Sequence, residues 1–282
     1  MRTKVVIIGN GFDLDQGLRT AYSHFLEDGV QPGVDTQNAI IQAAKNQGEN
    51  WCDVEMALAQ VIAREAKLAE NKGRQRDIKR NYMQVSRLLK KYIEGIQIHR
   101  KSKFDDSVRS FQMIKDLLSS DYRSIKIFDF NYTNTVSNIL KYLPQKNGVE
   151  HIKVHGSIDD GQIIYGVENY ADILIPSKFT YAKKSHGDLF YSTTRISDEL
   201  IGADEIHLFG HSLGESDEIH FSRYFDEVMT TEINPINAKQ EVFLYLDSVN
   251  IDACKERINE RIDSLTNSRL AEFKQAVSVI YK

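Results

Sequence analysis

Apolar positions along the chain follow two periods. Short apolar runs at Lys4 to Ile8, Ile125 to Phe130, His151 to Val154, Gln162 to Tyr165, Glu205 to Phe209 and Glu241 to Leu246 predict β-strands. Between them apolar residues recur every three or four positions, the spacing of one helix face. Strands alternating with helices predict an α/β protein whose mostly parallel sheet is covered on both faces.

The interval from Trp51 to Ser119 breaks this alternation, because it holds no strand pattern. Ile78, Tyr82, Val85, Leu89, Tyr92, Ile93 and Ile96 fall on one side of a single helix, and Val54, Leu58, Val61 and Ile62 on one side of another. The expected organisation is an α/β core of residues 1–50 and 120–282, with a helical subdomain, 51–119, inserted between the first and second strands. Part of the insertion is basic: Lys72, Arg74, Arg76, Lys79, Arg80, Arg87, Lys90 and Lys91 accompany one acid, Asp77. Such a run can hold nucleic acid or an acidic partner. A solvated helix face is the plainer reading, since no aromatic stacking pattern accompanies the charge.

At 282 residues, 41% of them apolar and 27% charged, the chain can bury a full core. A net charge of −4 argues against a surface built throughout for nucleic acid or anionic lipid. Cys52 and Cys254 are too few for a structural zinc site, leave a disulfide open, and fit a reducing compartment. No apolar run approaches the roughly 20 residues that span a bilayer. MRTK leads straight into the first strand, so a cytoplasmic protein with no signal peptide and no membrane partner is expected.

Candidate chemistry gathers where predicted strands end, the place where open α/β sheets form a ligand crevice. Val5 to Ile8 deliver into Gly9-Asn10-Gly11-Phe12-Asp13. The glycines are expected to permit positive φ and close approach of the backbone to a phosphate or ribose, with N–H groups facing the ligand. The segment is neither the three-glycine dinucleotide fingerprint nor a P-loop, and a tight turn without a ligand is the alternative. Later strands end in Asn131-Tyr132-Thr133-Asn134-Thr135, His155-Gly156-Ser157 and Gly210-His211-Ser212-Leu213-Gly214. Each has a structural alternative: an Asx turn or cap at Asn131, a hydrogen-bonded histidine beside a turn at His155, and a capping box of Ser212 with Glu215. GHSLG also fits the nucleophile elbow G-x-S-x-G. The one histidine after Ser212 is His220, on what reads as the same helix, so a serine hydrolase is not expected.

GNGFDLDQGLRTAYSHFL, the W-x-D-x-E segment Trp51 to Glu55, FNYTNT, VHGS and FGHSLGESD, in this order, closely resemble the AbiH family of bacterial abortive-infection proteins directed against bacteriophage. That resemblance runs the length of the chain and implies a role in phage defence. The same segments more distantly resemble SIR2-type domains, which bind NAD: Gly9-Asn10-Gly11 with Gly17 and Phe25, Asn131 with Thr133, His155-Gly156, and Gly210 with Ser212-Leu213. This second likeness implies a Rossmann-like sheet and an NAD glycohydrolase releasing nicotinamide and ADP-ribose. Carried over by position, it gives Gly9, Asn10, Gly11 and Phe12 to the phosphate and ribose loop, with Asp13, Thr133, Gly156 and His211 beside them in the nucleotide site. Asn131 then orients the nicotinamide ribose or the attacking water, His155 is the general base, and Gly210 and Ser212 contact the adenosine half. Cleaving the N-glycosidic bond develops oxocarbenium character on the ribose, which calls for positioning and for a base of near-neutral pKa.

Thr133 stands where that pattern carries an acid. Asp13 could substitute, although a carboxylate at a helix start is an equal account of it. The four-cysteine zinc module of the protein deacylases is missing, so peptide deacylation is not expected and no metal is implied. Glu55 could face the nucleotide or serve structurally, Asp53 and Glu55 do not form a ready metal pair, and Glu215 and Asp217 could simply favour a helix start. The expectation is therefore an effector that consumes NAD once a phage-derived trigger, or assembly into a homo-oligomer, switches it on. The rival is a non-hydrolytic nucleotide-sensing or nucleic-acid-directed defence protein, a nuclease or sensor, using the same pocket and the basic helix 72–91.

Overall fold

The structure, a computed structural model, describes residues 1–33, 37–46, 53–67, 72–99, 103–144, 147–159, 161–168, 174–187, 193–230, 239–247 and 249–282. Among the described residues the strands are β1 (Arg2–Ile8), β2 (Tyr122–Asp129), β3 (Val149–Lys153), β4 (Gly156–Ser157), β5 (Gln162–Ile163), β6 (Glu205–Phe209), β7 (Glu241–Tyr245) and β8 (Ser278–Tyr281). Six of them form one all-parallel sheet in the order β3-β2-β1-β6-β7-β8. Counting only its own strands, the sheet runs 3-2-1-4-5-6, the order of the doubly wound dinucleotide-binding fold.

β1 is central because both of its faces are apolar: Val5, Val6, Ile7 and Ile8 are at most 1% exposed, between β2 on one side and β6 on the other. Such unbroken burial is the mark of a parallel strand covered by helices on both faces. Winding reverses between β1 and β6, so the turns that follow these two strands meet at the topological switch point.

Two strand expectations are corrected. Gln162 to Tyr165 does not join the main sheet; its strand is Gln162–Ile163, folded back at Gly161 (φ +71°) to pair antiparallel with β4. The C-terminal edge strand β8, which aligns with β7 from Glu241 to Leu244, was not anticipated.

Between β1 and β2 the described residues form helices joined by turns and loops, with no strand. Val54, Leu58, Val61 and Ile62 of the helix Asp53–Lys67 and Ile78, Val85, Leu89 and Ile93 of the helix Lys72–His99 share one apolar cluster with Tyr132, Tyr165, Val167 and Phe179. The helix Arg109–Ser119 buries Phe111, Met113, Ile114, Leu117 and Leu118 against Val6, Ile8, Ile125 and Ile127 of the sheet itself. The expected Trp51 and Cys52 lie outside the described residues, and Cys254 is a free thiol. No described helix is long and apolar enough to cross a membrane.

Candidate functional site

At the switch point two turns are pressed together. A Cβ on Gly9 would lie 2.6 Å from the Gly210 oxygen and from the His211 Cα, and one on Gly11 would lie 2.5 Å from the Gly210 Cα. Gly9 N–H donates to the Phe209 carbonyl (3.0 Å), Gly11 N–H to the Gly210 carbonyl (2.9 Å) and Phe12 N–H to the Gly9 carbonyl (3.0 Å). The expected positive φ is found at Gly210 (+64°) but not at Gly9, whose φ is −116°, nor at Gly11, which sits inside the helix Asn10–Asp15. Close approach is what these glycines provide, but to the neighbouring turn.

Beside this contact lies a buried cluster of titratable side chains. His155, which follows β3, brings Nε2 within 3.0 Å of Asp217 Oδ1. His211, on the Gly210 turn, accepts a hydrogen bond at Nδ1 from the Leu213 N–H (3.0 Å), which leaves its Nε2 as the protonated nitrogen, 3.6 Å from Asp217 Oδ2. Lys184 Nζ is 2.9 Å from Asp217 Oδ1, 3.0 Å from Glu55 Oε1 and 3.2 Å from Ser216 Oγ. The ring of Phe130, at the end of β2, meets the rings of His155 and His211 edge-on at 5.2 and 4.3 Å. Four separate stretches of chain thus supply one charged cluster, the helix Asp53–Lys67 among them through Glu55.

Electrostatics assign the protonation states. Burial opposes the Asp217 carboxylate, but Lys184 and His155 outweigh it and hold the group well below the usual carboxylate range. Burial likewise opposes the Lys184 ammonium, and the carboxylates of Asp217 and Glu55 reverse the balance, so its pKa is raised. His155 goes the other way: burial, aided by the Lys184 charge, depresses its pKa despite Asp217. A neutral imidazole facing an ionised carboxylate must donate from Nε2, and Nδ1 then carries the basic lone pair. Asp217 therefore fixes the orientation and the tautomer of the His155 ring.

A second polar cluster flanks the first. Thr133 Oγ1 lies 2.9 and 2.7 Å from the two carboxyl oxygens of Asp13. Burial pushes the Asp13 carboxyl up to about 6, the Thr133 hydrogen bond opposes the rise and the nearby Asp129 charge adds to it. Asp129 is itself fully buried, accepting from Lys153 Nζ at 2.6 Å and lying 3.0 Å from His151 Nε2. Burial would raise its pKa, yet Lys153 and His151 lower it below the usual range. Thr133, following β2, is thus bonded to an acid of the helix that follows β1.

The expected site residues divide in two. His155, His211, Gly9 and Gly210 come together, and Asn131 joins them by donating from Nδ2 to the Gly9 carbonyl at 3.0 Å. The Asx turn there belongs to Asp129, whose Oδ1 accepts from the Asn131 N–H at 3.0 Å. Gly156 opens β4 with φ +72°, directly after His155. Asn10 accepts from the Thr20 hydroxyl at 2.6 Å, and Phe12 packs edge-on against Phe209 in the sheet's core, 0% exposed. Ser212 is exposed, and no capping box forms: the 3₁₀ helix Glu215–His220 is capped by Gly214 without a side-chain bond. Sequence reasoning gave Asp217 no more than a helix-start role and did not reach Lys184 or Ser216. A carboxylate six residues beyond His211 was the available sign of the first; Lys184, far along the chain from either acid, offered none.

An open groove of about 590 Å³ lies elsewhere, along the helix Ile251–Leu265, lined by Asp252, Lys255, Glu256, Asn259, Glu260, Asp263 and Leu270. It touches none of these strand-end residues. Among the described residues no group of three His, Cys, Asp or Glu side chains is arranged to hold a metal ion.

Fold and site together define a Rossmann-like α/β protein with a buried histidine–carboxylate pair beside its switch point. The family model described as "Bacteriophage abortive infection AbiH" matches residues 5–237, and the chain belongs to the AbiH family. A role in phage abortive infection follows from that membership. No curated protein matches the chain.

Proposed function

We propose that the protein serves abortive infection by hydrolysing NAD, with His155 as general base and Asp217 orienting it. The observation that carries this reading is the 3.0 Å bond between His155 Nε2 and Asp217 Oδ1 beside the switch point, where doubly wound sheets hold dinucleotides. In the reaction water adds to C1′ of the nicotinamide ribose, the C1′–N bond breaks with its electron pair leaving on nicotinamide, and a water proton passes to His155 Nδ1. A base kept neutral by burial is ready to accept that proton. Asn131, spent on the Gly9 carbonyl, holds the first turn against the base. Asp13, hydrogen-bonded to Thr133, supplies a carboxyl near the position the SIR2-type pattern assigns to an acid. The strand order and the ordered motifs support the SIR2-like likeness.

Purified protein incubated with NAD, with and without phage lysate, should release nicotinamide. His155→Ala should abolish release, and Asp217→Asn should slow it by about 100-fold, within the range of general-base catalysis. NAD that stays intact under every activating condition, while nucleotide still binds, would overturn the hydrolytic reading. A sensing protein would then be favoured, for one specific reason. Gly9 and Gly11 spend their N–H groups on the Phe209 and Gly210 carbonyls, so a phosphate seated on them must first part the two turns, which is how a ligand drives a switch.

A further inference from the structure

The helix Lys72–His99 carries a charge pattern that the site does not use. It holds eight cations and two acids, a net of +6 in a chain of net −4, so the remainder of the chain carries −10. At about 100° per residue, Arg76, Arg80, Met83, Arg87 and Lys91 fall within about 80° of one another. The stripe is centred opposite the buried face of Ile78, Val85, Leu89 and Ile93. All five are exposed. The line from Arg76 to Lys91 is about 22 Å long at a rise of 1.5 Å per residue.

Arg74, outside the stripe, pairs with Glu65 at 3.3 Å, but neutralisation of the ridge itself is slight. Arg80 pairs with Asp77 at 3.0 Å, both largely exposed, and such a pair contributes little. Glu94, the other acid of the helix, pairs with Lys90 at 3.8 Å. Among the described residues no acid lies within ion-pair distance of Arg76, Arg87 or Lys91. The ridge is thus a positive pole on an otherwise acidic molecule, an arrangement that orients a protein towards a polyanion.

We propose that this ridge docks the phosphate backbone of duplex DNA, independently of the reaction at the strand ends. Three of the four cations are arginines, which grip phosphate oxygens with a planar, two-pronged donor set. A straight, stiff ridge suits a stiff duplex. Binders of single strands need aromatic platforms for the bases, and Tyr82 and Tyr92 turn inward, with their hydroxyls on the Tyr165 and Arg19 carbonyls. A membrane surface fits less well, because the apolar face that would enter it is already spent in the core. The B-form major groove, about 12 Å wide, admits a helix, whereas the A-form groove of duplex RNA is too narrow.

The test is fluorescence anisotropy of the full chain with a labelled DNA duplex, with single-stranded DNA, duplex RNA and anionic vesicles as parallel arms. Four released counterions give a log–log salt slope of about −3.6, or about 100-fold weaker binding at 200 mM than at 50 mM salt. Arg76→Ala/Arg87→Ala/Lys91→Ala should flatten the slope to about −1 and weaken binding at 50 mM salt at least tenfold, while the Lys replacements at the two arginines retain most of it. Lys141→Ala/Arg257→Ala, on exposed residues elsewhere, should change nothing. All of these positions are solvent-facing, and circular dichroism checks that the variants fold. The proposal is overturned by no duplex binding at 50 mM salt, by equal binding of the triple variant, or by preference for single strands, RNA or vesicles. Because no residue of the ridge belongs to the cluster around His155, NAD turnover by the triple variant separates this result from the fate of the hydrolytic reading.

Discussion

Lys184 is a cation that bridges two buried carboxylates, so removing it is the sharpest test of the cluster. Its side chain is 2% exposed, that of Glu55 5% and that of Asp217 14%. Lys184→Met keeps the volume and deletes the charge, leaving both acids without the cation they share, and breaking a buried pair in this way costs about 3–5 kcal/mol. Unfolding entropy of about 2.1 cal/mol/K per residue, over 282 residues, gives about 0.6 kcal/mol/K. The loss should therefore lower Tm by about 5–8 °C, measured by circular dichroism at pH 7.5. Glu55→Gln combined with Lys184→Met strands one acid instead of two and should recover part of the deficit, a non-additivity expected of groups in contact. The sign with pH is definite. In the wild type Asp217 is held low, so its contribution is present above its unfolded pKa and is lost as pH falls through the folded value. In Lys184→Met the Asp217 carboxyl loses the charge that holds it low and becomes harder to ionise, so the gap between the two proteins should narrow as pH falls towards 5. A Tm within about 2 °C of wild type, or a double variant as unstable as the sum of the singles, would refute the account of Lys184 as the charge that holds this cluster together.

Other outcomes follow from the neighbouring geometry. Asp13, raised to about 6, contributes stability below its unfolded pKa that disappears as pH rises from about 4 to about 6; Asp13→Asn should match wild type near pH 4 and exceed it above pH 7 by up to about 3 kcal/mol, and chemical denaturation at the two pH values checks this. Gly210→Ala would place its Cβ 2.5 Å from the Phe12 nitrogen at φ +64°, which overpacking and backbone strain together price at about 3 kcal/mol. Gly17→Ala, at φ +74° with nothing within 4 Å, should cost only about 1–2 kcal/mol, so comparable thermal melts for the two would contradict the packing role of the turns.

Much of the architecture was legible because it is written in local periodicity. Glu205–Phe209 was read to its exact ends, β1, β2, β3 and β7 to within a few residues, and the helices between β1 and β2 by stripes whose Ile78, Val85, Leu89 and Ile93 are buried and whose Tyr82, Tyr92 and Ile96 are partly so. The failures are short elements whose partners decide them. Ser278–Tyr281 is half-buried at the sheet's edge and becomes a strand by pairing with β7. Gln162–Ile163 has strand-like residues but is turned away from the main sheet by Gly161. At the site, His155, His211 and Asn131 were visible because they follow strands, and parallel strands deliver their ends to one rim.

From its residues alone the chain declared its layers, its family and the rim on which its polar residues would gather, because hydrophobic period and motif order are properties of the backbone's own neighbourhood. Only the folded chain decided that Asp217 and Lys184 stand with His155, that Asp13 meets Thr133, and that the glycine turn closes on Gly210. Those relations join residues scores of positions apart. They depend on where a charge is buried and what else is buried with it, and burial is a property of the assembled molecule.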